Sequence, residues 1–345
     1  MRRLFASAAI VIGTAALVPG AASAETVLTY VSFGGALQKA EEPAWLKPFM
    51  EANPDVKIVY DIIDYAKLKA MVESGNVVWD LAVVANDFGM DSDAPLLEKI
   101  DCTLVPCSEL QPDKYMTTGY RAGHSNSGLA IGYNTNLVPA DKAPKDWKDF
   151  FDTDKVPGKR VLMNDASSYV FEQALLGDGV DPKQLYPLDL DRAVKKLESL
   201  GDDLVIAPSY QGCAELVASG EAVMGGCWTG RFTDLMKNAN APIAIQWNQG
   251  IVSPGYLVIP KGTKNKDLAM KLAAYITSAE NNAKLSDYID YGPINEKSLD
   301  KVDPAKKPYL QSTYADISVF LDDAWYDKNR PEVNRRWTEW LAGVN

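Results

Sequence analysis

The sequence predicts an α/β fold in which short strands alternate with helices and a parallel sheet is covered on both faces. Two observations carry this. Strand-like apolar runs end at turn residues, and helix-period stretches follow them in a strand–helix–strand order. The strands themselves, such as Trp79–Val84, are almost continuously apolar, as strands buried on both faces are. Length adds a division: an apolar content of 47% over more than 300 residues is ample for two domains.

In chain order, Val27–Ser32 reads as a strand that stops at Phe33-Gly34-Gly35. Helical spacing of Ala44, Leu46, Phe49 and Met50 follows, closed by Asn53-Pro54. Val56–Tyr60 alternates as a strand, Lys67–Ser74 is a helix closed by Gly75-Asn76, and Trp79–Val84 is a buried strand. The second half repeats the pattern. Gly128–Tyr133, Arg160–Met163, Ala222–Gly226 and Tyr256–Ile259 are strands. Helices fall at Trp147–Phe151, from near Ser168, and over Asp191–Leu200, Gln211–Ser219 and Leu268–Ser278. The Trp- and Arg-rich run from Trp325 to Trp340 reads as a packing helix.

The N-terminus indicates export. Arg2 and Arg3 precede an apolar run from Leu4 to Val18, and Ala22-Ser23-Ala24 supplies a small-residue cleavage site. Residues 1–24 are therefore expected to be a cleaved signal peptide, leaving 321 residues for the periplasm. That segment holds two arginines and no acid, so the net charge moves from −11 to −13. Such an acidic balance opposes nucleic acid and anionic membrane as partners. Cys102, Cys107, Cys213 and Cys227 read as two disulfides in an oxidising compartment. Three connectivities are possible, and the local pairs Cys102–Cys107 and Cys213–Cys227 are the economical one. With a single histidine, His124, and no CxxC spacing, neither a metal nor any other cofactor is expected.

Seven segments in order resemble one family. They are LTYVSFGG (28–35), AKLKAMVESGNVVWDLAVV (66–84), IGYNTNLV (131–138), VLMNDASSYVFEQALL (161–176), GEAVMGGCWTGR (220–231), GYLVIPKGTKNKDLAMKLAAYI (255–276) and YGPIN (291–295). Together they resemble the type II periplasmic solute-binding proteins of ABC transporters, in the spermidine/putrescine-binding branch. The resemblance implies two α/β lobes that close on a ligand held in the cleft between them. Lobe one would be residues 25–133 plus 254–300, and lobe two 134–253 plus 301–345. Hinge crossings would be short loops near Tyr133-Asn134 and Ser253-Pro254. The partners implied are a small amine-bearing or zwitterionic ligand and, transiently, an ABC permease in the inner membrane, with the protein a monomer.

The candidate ligand-binding residues stand at strand ends. Ser32, Phe33, Gly34 and Gly35 follow the first strand, where glycines admit close backbone approach and a helix start attracts an anion, unless they form a plain turn. Asp87 would hold an ammonium or cap its own loop, and Phe88 would pack an alkyl chain. Asp165 matches an amine-binding carboxylate of the polyamine binders, with Ser167 and Ser168 beside it, although this position also suits a helix cap. Trp228 matches a cleft tryptophan, offering cation–π attraction, and Tyr291 a cleft tyrosine, while Ser253 lies at the expected crossing.

Arg231 is a departure from the polyamine pattern, and it favours a carboxylate. The acids expected in the first loop and in Gln249–Gly255 are missing. Each desolvated ammonium needs a carboxylate, so the balance points to a zwitterion such as an ω-amino acid, with a polyamine as the alternative.

An exported enzyme is the rival class. No G-x-S-x-G elbow occurs, and Ser298-x-x-Lys301 lacks the companion motifs of penicillin-recognising enzymes. A metal-capturing protein lacks a Tyr-Tyr pair, and a purely sensory role is compatible with the same clamp.

Overall fold

The computed structural model describes residues 25–115 and 119–344. The expected signal peptide lies outside them. Eight strands form one sheet: β1 (Thr26–Ser32), β2 (Val56–Ile62), β3 (Leu81–Val84), β4 (Ala122–Asn134), β5 (Arg160–Met163), β6 (Leu204–Ala207), β7 (Met224–Trp228) and β8 (Ile243–Val258). Their order is β2-β1-β3-β8-β4-β7-β5-β6. Both ends are parallel, with β1 between β2 and β3 and β5 between β6 and β7. The middle is antiparallel, because β8 pairs with β3 and β4, and β4 with β7. Each half thus carries the parallel strands expected of it, and the antiparallel long strands join the two into one mixed sheet within the α/β class.

The cause is the length of two strands. β4 has 13 residues and β8 has 16, so each runs through both halves of the molecule. Only fragments, Gly128–Tyr133 and Tyr256–Ile259, are legible in the sequence, because Pro254 and scattered polar residues interrupt the apolar pattern of β8. Pro254 is tolerated because β3 pairs only with Tyr256–Val258, leaving Pro254 beyond that edge.

Two hydrophobic cores sit on the two halves. The first gathers Tyr30, Trp45, Phe49, Trp79, Ala122, Val252, Tyr256 and Ile294. The second gathers Leu129, Ile131, Trp147, Phe150, Phe171, Phe232, Ile251 and Val319. They meet between Ile251 and Val252 on β8 and between Ala122 and Leu129 on β4, earlier on β4 than Tyr133-Asn134. The passages between cores are continuous strands and not the short loops expected. The helix Asp323–Val344 lays Tyr326, Val333, Trp337 and Trp340 into the second core. Its N-terminus reaches back to the first, where Asp323 Oδ2 lies 2.6 Å from Arg121 Nη2.

Both local disulfides form. Cys102–Cys107 closes a loop with Cα atoms 5.4 Å apart, and Cys213–Cys227 ties the helix Tyr210–Ser219 to β7 with Cα atoms 6.0 Å apart. His124 is fully buried, with Nε2 3.0 Å from Glu41 Oε1 and the Trp45 ring edge-on at 4.9 Å. No described helix is long and apolar enough to cross a membrane.

Candidate ligand-binding cleft

Carboxyl ends of strands from both halves supply the candidate residues. β1 ends at Ser32, whose Oγ is buried with no hydrogen-bond partner among the described residues. Phe33 is exposed, and Gly34 and Gly35 have φ of 71° and 57°, a conformation that a side chain would strain. The helix Gly35–Glu41 starts there without a side-chain cap. Beyond β3, Phe88 is buried and stacked on Tyr65, with centroids 4.9 Å apart and planes at 6°. Tyr65 donates its hydroxyl hydrogen to the exposed Asp87 at 3.2 Å. Burial above all, then the Asp87 charge, raises the pKa of Tyr65.

In the second half, the loop after β5 carries Asp165, half-buried and capping the short 3-10 turn Ala166–Ser168. Its carboxylate accepts the Ser167 N–H at 2.9 Å, the Ser167 hydroxyl at 2.6 Å and the Tyr210 hydroxyl. Tyr210 is pushed up to about 12 by burial and then by Asp165. Its ring meets Trp228 edge-on at 6.3 Å, and Trp228 in turn meets Tyr169 at 6.4 Å. Trp228 Nε1 is buried and has no partner among the described residues. Tyr169 holds a left-handed backbone, φ 54°, which is uncommon for a bulky residue and concentrates at functional sites. Its hydroxyl bridges Asn86 Oδ1 and Ser253 Oγ, both at 3.1 Å.

The sequence candidates are therefore gathered unevenly. Asp165, Ser167 and Trp228 form one surface, linked through Tyr169 to Ser253. Asp87 and Phe88 face Tyr65 at the other half. Ser168 is buried, its hydroxyl turned to Met163 Sδ at 3.9 Å. Arg231 is exposed on the first turn of the helix Thr229–Asn238, with no hydrogen bond or ion pair among the described residues. Its charge acts on Tyr291, whose ring would lie 3.5 Å from a Cβ added at Gly230. No hydrogen bond or ring contact ties Phe33–Gly35 to the tyrosine–tryptophan cluster among the described residues.

Sequence reasoning missed Tyr65, Asn86, Tyr169 and Tyr210. Tyr169 is next to the quoted Asp165–Ser168 loop, so its strand-end position was the available signal. Tyr210 follows β6, a strand that the reading did not find.

The assembly can hold an amine. A half-buried carboxylate with three donors still offers lone pairs to an ammonium, and the Trp228 and Tyr210 rings supply apolar and cation–π surface. Among the described residues, no group of three His, Cys, Asp or Glu side chains converges to hold a metal ion.

Two α/β halves crossed by two long strands define a two-lobed type II binding protein. Comparison with known proteins agrees. The chain belongs to the bacterial extracellular solute-binding protein family, whose profile matches residues 44–312. It is 29% identical to a gamma-aminobutyric acid-binding protein of Pseudomonas aeruginosa, over 91% of both chains. It is 26% identical to the spermidine/putrescine-binding periplasmic protein of Escherichia coli, over 82% of both. Among solved structures, the Atu4243-GABA receptor superposes with a TM-score of 0.83 at 38% identity, over 91% of this chain and 97% of that one.

Proposed function

We propose that the protein is the exported, ligand-capturing subunit of an ABC importer, and that it takes a zwitterionic ω-amino acid by closure of its two lobes. Asp165 receives the ammonium, and Trp228, Tyr210 and Phe88 enclose the alkyl portion. The continuous Asp165–Tyr210–Trp228–Tyr169 surface carries this reading. Relatives named for binding gamma-aminobutyric acid support the same class.

The role proposed is binding and not catalysis. Ser298 is buried and donates to the Ala279 carbonyl at 2.7 Å, while Lys301 pairs with Glu280, so the S-x-x-K motif is used structurally. The proposed setting is the periplasm, reached through cleavage after Ala24, with a monomer docking transiently on its permease. A polyamine is the second reading, favoured by the Asp165–Trp228 pairing and the spermidine/putrescine-binding relatives.

The test is thermal melting of the mature protein with ω-amino acids, α-amino acids, polyamines, amino sugars and simple carboxylates. A solute at about a hundred times its Kd adds roughly 2.7 kcal/mol. A rise with 4-aminobutyrate and none with spermidine supports the zwitterion; the reverse result establishes the polyamine instead.

A further inference from the structure

The helix Asp323–Val344 does more than pack. Its Tyr326, Val333, Trp337 and Trp340 are buried in the second core, but Asp323, Asp327 and Arg330 lie along another face. Asp323 Oδ1 accepts from Asn86 Nδ2 at 3.1 Å, and Asp327 Oδ1 accepts from the Ser92 hydroxyl at 2.7 Å. That face therefore looks across to the first lobe. Arg330 stands one turn further along it.

Arg330 is half-buried, with its guanidinium 4.9 Å from the centre of the Tyr326 ring. Its Nη2 is enclosed and has no hydrogen-bond partner among the described residues. No carboxylate of the described residues lies within 4.0 Å of it. Its positive charge acts on Tyr65 from the first half and on Tyr169 from the second. These are the two tyrosines whose hydroxyls bond Asp87 and Asn86. A guanidinium half removed from water and left unpaired is costly, and a bidentate carboxylate is the partner that matches its geometry.

Two other assignments compete for these groups. In one, Arg330 balances Glu172, whose carboxyl its field also reaches. Burial pushes Glu172 upward, however: its Oε1 accepts from the Tyr186 and Tyr326 hydroxyls, its Oε2 is buried with no hydrogen-bond partner among the described residues, and neither oxygen lies within 4.0 Å of the Arg330 guanidinium. Arg231 is the other candidate for the ligand's acidic end, but it is exposed, and water screens an exposed cation.

We propose that Arg330 is the carboxylate anchor of the cleft, gripping the acidic end of the ligand between Tyr65 and Tyr169 while Asp165 holds the amine. The inference rests on the zwitterion reading and assigns its anionic end to a residue outside the family-like segments. Closure would then be coupled to ligand chemistry: a carboxylate on Arg330 sits where the C-terminal helix, the first lobe and the Tyr169 loop meet.

The experiment is calorimetric titration of wild type, Arg330→Gln, Arg330→Lys and Arg231→Ala with 4-aminobutyrate and with putrescine, alongside melting of each ligand-free protein. Arg330→Gln is expected to lose about 100-fold or more in 4-aminobutyrate affinity. The same variant should hold or gain putrescine affinity, since a diamine no longer meets a fixed cation. Arg330→Lys keeps the charge without the fork and should fall between, and Arg231→Ala should stay within about threefold of wild type. Ligand-free melting of the Arg330 variants should stay within about 2 °C. Unchanged 4-aminobutyrate binding by Arg330→Gln overturns the inference and leaves the zwitterion reading standing. So does a fall in melting with equal loss of both ligands, which would make Arg330 the counter-ion of Glu172. Wild-type protein that binds putrescine but not 4-aminobutyrate overturns the reading and the inference together.

Discussion

At the scale of single residues, charge and burial make two carboxyl groups behave differently. Asp165 is half-buried, and its carboxylate accepts from three donors. Asp165→Asn removes the charge and keeps one acceptor oxygen, while its amide nitrogen stands where the carboxylate accepts from the Ser167 N–H or from the Ser167 and Tyr210 hydroxyls. It is expected to weaken amine binding by about tenfold to 100-fold, with little change in melting, because charge-assisted bonds are roughly twice as strong as neutral ones. Titration of the variant with 4-aminobutyrate checks this, and unchanged affinity would place the amine elsewhere. Glu172 is fully buried, and desolvation raises its pKa against the Tyr326 and Tyr186 hydroxyl bonds and the Arg330 charge. An acid raised in the folded state binds more protons folded than unfolded. Stability therefore falls as pH climbs from its ordinary value of 4.5 toward the folded value. Glu172→Gln should flatten that decline in urea midpoints measured from about pH 4.5 upward, leaving a residue from Asp323, which burial also raises. Identical slopes would show that Glu172 does not set it.

At the scale of elements, legibility followed apolar periodicity. β1, β5 and the helices Trp147–Phe151 and Tyr210–Ser219 were readable because their apolar spacing and caps are local. β4 and β8 were not, because each changes core midway and carries polar or special residues at the change. The site shows the same limit. Asp165 follows and Trp228 ends a strand with a clear pattern, whereas Arg330 is placed by a helix from the far end of the chain. His124 is legible only as a lone residue; the fold makes it a buried partner of Glu41. β4 also contains a tight approach: a Cβ on Gly132 would lie 2.2 Å from Phe232 Cζ, and Phe232 is fully buried. Gly132→Ala should cost about 1–3 kcal/mol through overpacking, and Phe232→Leu in the same chain should recover part of it. Equilibrium urea unfolding reads both; a loss below about 0.5 kcal/mol would mean the ring can retreat.

For the whole molecule, the crossing strands decide how the lobes are coupled. β4 and β8 pair from Ala122↔Leu257 to Asn134↔Ile243, so their ladder is common property of both cores. Melting one core alone would strip ladder partners and apolar cover from strands still needed by the other. The Asp323–Arg121 contact ties the C-terminal helix across the same divide. A chain of this length can unfold in steps, but this construction favours one cooperative transition. The tryptophans allow a direct measurement. Trp45 and Trp79 report the first core, and Trp147, Trp337 and Trp340 the second. A Trp45→Phe, Trp79→Phe variant confines most of the core fluorescence signal to the second. Its urea transition should coincide with that followed by far-ultraviolet circular dichroism, and 4-aminobutyrate should move both together. Separate midpoints would mean that the lobes unfold independently, with β4 and β8 acting as tethers and not as a shared spine.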